Sequence, residues 1–131
     1  MGALQDAERF VGIPYDEAEM DCADLVALVQ RELFARDVRM PGRRPRGVEG
    51  QAALGSLSRP MCTPTDSPHD GDLVLMTETP HKRPGHAGVF FYLAHEGWVL
   101  HSNEKSGCSV LHRVRDLPAF GLRIEGYYAW A

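Results

Sequence analysis

Three residues in this sequence could together form an activated cysteine nucleophile: Cys22, His86 and His101. Asp21 and Cys22 open an apolar-periodic segment, so the sequence predicts a helix with the thiol in its first turn, where the helix dipole favours a thiolate. His86 stands at the head of a hydrophobic strand, and a histidine near a thiol can act as its base. A further group would orient that imidazole. His101 is the first candidate for this role and Asn103 is the alternative.

The elements that must position these residues are helices first and strands afterwards. Apolar periodicity predicts two helices, Leu4–Val11 and Cys22–Arg36, the second with Asp21 as its N-cap and Asp24 completing a capping box. From Gly71 onwards the periodicity changes to that of strands. The predicted strands are Leu73–Met76, Ala87–Leu93, Trp98–His101, Cys108–Arg113 and Ile124–Trp130, with Glu96–Gly97 as the tight turn into Trp98–His101. This order predicts an α+β fold in which N-terminal helices pack on a C-terminal antiparallel β-sheet.

The middle of the chain has a different composition. Val38–Pro68 is rich in Gly, Pro, Arg and Ser, so it is expected to be mostly irregular, with at most a weak helix at Glu49–Leu57. Its basic stretch, Arg39–Arg46, could contact phosphates. The Pro and Gly residues within that stretch favour a solvated loop instead.

Length and charge restrict the possible function classes. The 131 residues suffice for one domain, 1–131, and are too few for two. The formal net charge of −4 argues against nucleic-acid binding. Because no apolar run reaches membrane-spanning length and the N-terminus lacks a secretory pattern, we expect no membrane span and no signal peptide.

The cysteine and histidine spacings indicate neither a disulfide framework nor a metal site. The three cysteines are an odd number, and no Cys-x-x-Cys or His-x-x-x-His pair occurs. We therefore expect no metal and no cofactor. Cys62 and Cys108 lack a helix-start context and are expected to be structural. The other four histidines are expected at the surface: His69, His81, His95 and His112.

Taken in order, these motifs resemble those of the NlpC-type cell-wall cysteine peptidases, a papain-like family with a permuted catalytic core. The similar segments span almost the whole chain: Phe10–Tyr15, Asp21–Cys22, Gly71–Val74, His86–Phe91 and Val99–Ser102. The segment Arg123–Tyr128 is similar to the branch of the family found on bacteriophage tails.

The resemblance implies a permuted papain-like domain with three catalytic residues: Cys22, His86 and His101. It also implies that Tyr15, Asp21 and Asp24 lie around the substrate. The expected substrate is a peptide stem of peptidoglycan, cut by a phage or prophage tail-associated enzyme. Other tail proteins are then its expected partners. The protein would act at the bacterial wall from the virion tail, or stand in the host cytoplasm before assembly.

Two departures from the family pattern keep other functions open. Asp16–Glu19 stands where the family usually has a glycine-containing turn. Asp24 stands where glycine is common, and a carboxylate near the thiol disfavours its ionisation. One alternative is a weakly active or inactive tail-assembly protein on the same fold. The other is an amidase or acyltransferase on that fold.

Overall fold

The computed structural model describes residues 3–38, 62–78 and 85–130. Two α-helices come first within these segments, α1 (Ala3–Glu8) and α2 (Cys22–Phe34). The later elements are β1 (Cys62–Thr65), β2 (Leu73–Glu78), β3 (His86–Leu93), β4 (Glu96–Ser102), β5 (Ser109–Arg113), a 3₁₀ helix (Val114–Phe120) and β6 (Leu122–Trp130). The fold is α+β, as the sequence predicts.

The strands form one six-stranded antiparallel sheet in the order β1-β6-β2-β3-β4-β5. Strands β2 to β5 run as a meander, and β6 inserts between β1 and β2. The β3–β4 turn consists of Ala94 and His95, which both have positive φ (50° and 65°), as a two-residue hairpin turn requires. The sequence suggests Glu96–Gly97 as this turn, but those residues already belong to β4.

Both faces of the central strands are covered, which explains the unbroken apolar run in β2. On one face, α2 buries Leu25, Val26 and Val29 completely against the sheet. On the other face, Leu117 of the 3₁₀ helix packs with Val74 and other residues of the sheet. Full burial of each such side chain stabilises the fold by about 1.5–3 kcal/mol.

Gly71 joins α2 to the sheet. Its φ of +95° and the ring of Phe34, only 2.8 Å from the position of a Cβ, leave room for glycine alone. The Gly71 carbonyl accepts hydrogen bonds from Gln30 Nε2 at 2.7 Å and Trp130 Nε1 at 2.8 Å. The turn before β2 therefore holds both α2 and the end of β6.

The structure differs from the sequence prediction at several element ends. Both helices are shorter than predicted. Helix α2 ends at Phe34 because Ala35 adopts a left-handed conformation (φ 54°) and its N–H donates a hydrogen bond to the Gln30 carbonyl. β1 lies in a segment predicted to be irregular, because Cys62–Thr65 pairs with β6. The sequence pattern does not predict the 3₁₀ helix, which contains Pro118.

Some predictions concern residues outside those described. They are the weak helix at Glu49–Leu57, the basic stretch Arg39–Arg46 and the surface position of His81. None of the helices in the described segments could cross a bilayer, since the longest, α2, has 13 residues.

Candidate active site

Cys22 occupies the first position of α2, and a capping box fixes the backbone around it. Asp21 Oδ1 accepts a hydrogen bond from the Asp24 N–H at 2.9 Å, and Asp24 Oδ2 accepts one from the Asp21 N–H at 3.1 Å. This reciprocal pair confirms the predicted capping box. Cys22 is 9% exposed. It lies at the positive end of the helix dipole, which favours its thiolate form.

His86 and His101 are joined ring to ring across neighbouring strands. The β3–β4 register pairs Gly88 with His101, so His86 lies diagonally opposite His101 on the same face of the sheet. His86 Nε2 and His101 Nδ1 are 2.9 Å apart, and the rings meet edge to face with centroids 5.0 Å apart. The residue predicted to orient the base therefore contacts it directly.

Burial keeps both imidazoles neutral near pH 7. His86 and His101 are each 1% exposed. Desolvation lowers the pKa of His86 to about 4. Desolvation, together with the neighbouring His86 and His112, lowers the pKa of His101 to about 2. A neutral imidazole has one ring nitrogen that accepts a proton, so His86 retains the capacity to act as a base.

Cys22 and His86 line the same cavity, which has a volume of about 460 Å³. It lies where β2 ends, β3 begins and β4 ends. The described residues that line it are Tyr15, Cys22, Glu78, Gly85, His86, Ser102, Asn103, Glu104 and Lys105. The structure thus brings the predicted nucleophile, the predicted base and Tyr15 to one place.

Three other predicted site residues take part in local structure. Asp21 and Asp24 form the capping box and are not among the residues that line the cavity. Asn103 lines it, but its Oδ1 accepts a hydrogen bond from the Ser106 N–H at 2.9 Å, within the β4–β5 turn. Of the two candidate orienting residues, His101 is the one hydrogen-bonded to His86.

His112 on β5 adds a third ring, so its predicted position as a simple surface histidine is wrong. Its Nδ1 is 3.1 Å from His101 Nε2. The ring stacks on Phe120 of the 3₁₀ helix, with centroids 4.0 Å apart and planes at 6°. The two histidines pair because β4 and β5 align side by side, which no local pattern reveals. His69 and His95 are exposed, as predicted.

The sequence predicts no role for two polar residues of the cavity. Glu78 Oε1 lies 3.9 Å from His86 Nδ1, too far for a hydrogen bond but close enough to attract a protonated ring. Ser102 is 1% exposed, and its Oγ has no hydrogen-bond partner among the described residues. That Glu78 and Ser102 face this cavity can be inferred from strand alternation only once the pairing of β2, β3 and β4 is known.

In the part of the chain that the structure describes, no three histidine, cysteine or carboxylate groups are placed to hold a metal ion. The three imidazoles of His86, His101 and His112 instead bond to one another in a line. The nitrogens that face each other are therefore already engaged.

Comparison with protein-family models, with curated proteins and with solved structures finds no match to this chain. Its function must therefore be inferred from the site's own residues. These are a thiol at a capped helix start, a buried neutral imidazole in the same cavity, and a second imidazole bonded to the first. Such groups are what a cysteine nucleophile needs as its base and orienting residue.

Proposed function

We propose that the protein is a cysteine peptidase that hydrolyses peptide stems of peptidoglycan, on a permuted papain-like fold. The single observation that supports this most strongly is the hydrogen bond between His86 Nε2 and His101 Nδ1, in a site whose cavity Cys22 also lines. With His86 Nε2 as the donor in this bond, His86 Nδ1 is bare and is the ring nitrogen that takes the thiol proton.

The proposed reaction begins when His86 Nδ1 accepts the proton of the Cys22 thiol. The thiolate attacks the scissile carbonyl carbon and forms a tetrahedral intermediate. The C–N bond then breaks, the leaving amine takes the proton from His86, and an acyl-enzyme remains. Water, deprotonated by the same imidazole, hydrolyses the thioester and restores the thiol.

The tetrahedral intermediate carries an oxyanion that needs hydrogen-bond donors. The Cys22 N–H lies in the first turn of α2, at the positive end of the helix dipole, and is the candidate first donor. The buried Ser102 hydroxyl, in the same cavity, is a candidate second donor.

The charges that line the cavity suit a substrate with both amino and carboxylate groups. Glu78 and Glu104 carry negative charge, and Lys105 carries positive charge. Peptide stems carry free carboxylates and an amino group on their dibasic residue. Lys105 could therefore pair with a stem carboxylate, and Glu78 or Glu104 with the amino group. An action at the bacterial wall as part of a phage tail is supported by the resemblance of Arg123–Tyr128 alone.

Digestion of purified peptidoglycan with analysis of the products by mass spectrometry tests this proposal. Wild type is expected to release peptide fragments, and Cys22→Ala is expected to release none. Cys108→Ala is the matched control, since Cys108 does not line the cavity. Products cut between sugar and peptide would indicate an amidase, and transpeptidated products would indicate an acyltransferase. Equal digests with wild type and Cys22→Ala would reject any hydrolytic role for the thiol and favour an inactive tail-assembly protein.

A further inference from the structure

The imidazoles of His86, His101 and His112 form a line that crosses three neighbouring strands. His86 Nε2 meets His101 Nδ1 at 2.9 Å, and His101 Nε2 meets His112 Nδ1 at 3.1 Å. At one end, His86 lines the cavity that contains Cys22. At the other end, His112 lines a second cavity of about 530 Å³, beside the exposed Phe120. His101 also lines this second cavity, which shares Asn103 and Lys105 with the first, so the line of rings runs from one cavity to its neighbour.

We propose that His112 is a positioning residue that sets the tautomer of His86 through His101 and takes up the proton displaced when the Cys22 thiol ionises. This inference deepens the proposed function and rests on it. It adds a fourth residue to the predicted triad and gives the second cavity a role as the proton's outlet.

Hydrogen bonding permits only two arrangements of the three neutral rings. In the first, every ring carries its proton on Nε2, so His86 donates to His101 and His101 donates to His112. His86 Nδ1 is then bare and acts as a base. In the second, every ring carries its proton on Nδ1, and His86 has no basic nitrogen in the cavity. His112 Nδ1 accepts from His101 in the first arrangement and donates to it in the second, so the tautomers of His112 and His86 are tied together.

The proton transfers balance along this line. The Cys22 thiol proton passes to His86 Nδ1, and the His86 Nε2 proton passes to His101 Nδ1. The His101 Nε2 proton passes to His112 Nδ1. Before the transfer the protons are one on sulfur and one on each ring; afterwards His112 holds two, the other rings hold one each, and Cys22 is a thiolate. The reverse sequence returns a proton to the leaving amine.

The surroundings of the three rings favour His112 as the cation. His86 and His101 are fully buried, and burial opposes a charge on either ring. The Glu78 carboxylate, 3.9 Å from His86 Nδ1, would attract a protonated His86 ring. His112 is half-buried: burial lowers its pKa, and the Asp116 carboxylate on the 3₁₀ helix partly offsets this effect.

Three other charged residues lie near the two ends of the line: Arg113, Lys105 and Glu104. Arg113 is paired with Asp116 at 2.8 Å, which weakens but does not remove that carboxylate's attraction for His112. Lys105 lines both cavities, and its charge opposes a cation at either end of the line. Glu104 lines the Cys22 cavity alone.

The test measures Cys22 alkylation by iodoacetamide as a function of pH, resolved by peptide mass spectrometry, and His86 tautomer by long-range ¹H–¹⁵N NMR. In His112→Phe the acceptor is lost. His86 is expected to shift to the Nδ1–H form, and the midpoint of alkylation to rise by about one pH unit or more. In His112→Asn an amide oxygen replaces Nδ1, so the Nε2–H tautomer should persist while the midpoint still rises. The exposed His95→Asn is the matched control and should leave both readouts unchanged.

An unchanged tautomer and an unchanged alkylation profile in His112→Phe would overturn the proposal. If that variant does not fold, an unchanged midpoint in His112→Asn overturns it equally. Neither readout uses peptidoglycan. Failure of the peptidase proposal, seen as no digestion, is therefore distinguishable from failure of the relay, seen as no shift.

Discussion

Gly88 on β3 pairs directly with His101 on β4, and its missing side chain is what lets the two strands pack at this point. A Cβ at residue 88 would lie 2.5 Å from Val99 Cγ1, 2.9 Å from the Leu100 carbonyl oxygen and 3.2 Å from His101 Cβ. One of these contacts is with backbone and cannot be relieved by a change of rotamer. Gly88 thereby sets the distance across which His101 reaches His86.

Gly88→Ala is accordingly expected to destabilise the protein by about 2 kcal/mol or more, since overpacking in a close-packed interior costs 1–3 kcal/mol. It should also slow any reaction that uses His86, because the His86–His101 bond is stretched. Urea denaturation and peptidoglycan digestion measure the two effects. Gly107→Asn is the control, at a positive φ that Asn tolerates and with open space around it. Equal stabilities for the two variants would contradict this account.

The stability of the fold should fall as pH drops below 6.5, before most carboxylates titrate. The pKa of His86 is lowered from 6.5 to about 4 and that of His101 to about 2. Between these values and 6.5 the unfolded chain binds more protons than the folded one, so acid favours unfolding. The loss is on the order of 1 kcal/mol per residue and pH unit in this window.

Urea denaturation at a series of pH values from about 7 down to about 5 measures this slope, because carboxylates contribute little there. His101→Phe should have a shallower slope, since one buried histidine is gone. The exposed His95→Asn should keep the wild-type slope. A wild-type stability that does not change across this range would show that His86 and His101 are not held neutral by burial.

The Asp24 carboxylate should lower the reactivity of the Cys22 thiol while it stabilises α2. Asp24→Asn keeps an oxygen that accepts from the Asp21 N–H, so stability should change by less than about 0.5 kcal/mol. Loss of the negative charge should speed Cys22 alkylation near neutral pH by about threefold to tenfold. Asp21→Ala, by contrast, removes the N-cap and should cost about 1 kcal/mol. Slower Cys22 alkylation in Asp24→Asn would show that the Asp24 charge does not lower the reactivity of the thiol.

Ser102 should matter for substrate and not for the fold. Its buried Oγ has no partner among the described residues, so Ser102→Ala should leave stability unchanged or raise it slightly. If the hydroxyl binds the oxyanion, kcat should fall by about tenfold or more while Cys22 alkylation stays at the wild-type rate. Ser109→Ala is the contrasting variant: Ser109 Oγ bonds to Phe10 and Ile13 backbone groups, and its loss should destabilise the protein. Full activity in Ser102→Ala would exclude the hydroxyl from the reaction.

The part of the site that depends on residues close together in the sequence can be predicted from the sequence. The α2 start and its capping box follow from Asp21 and Asp24, three residues apart, ahead of an apolar stripe. The pairing of His86 with His101 is different, because it depends on which residues form the β3–β4 turn. A shift of one residue would turn His101 to the opposite face. Sequence alone suggests the wrong turn residues, although the bond between the two rings exists.

The contacts of His112 are harder still to predict from the sequence. It pairs with Val99 in the β4–β5 ladder, and its ring bonds to His101 and stacks on Phe120. These contacts depend on the register of β4 and β5 and on the 3₁₀ helix, which no periodicity in the sequence predicts. A histidine at a strand end without a motif therefore looks like an ordinary polar residue until the neighbouring strands are aligned.

The insertion of β6 between β1 and β2 has a consequence for biosynthesis. A nascent chain that has reached residue 121 already contains Cys22, His86, His101 and His112, yet it lacks the strand that joins β1 to the rest of the sheet. Until Leu122–Trp130 leaves the ribosome, one long edge of β2 has no partner and is open to pairing with other chains. The described residues that line the Cys22 cavity all precede this strand, so they are translated before the β-sheet that supports them can close.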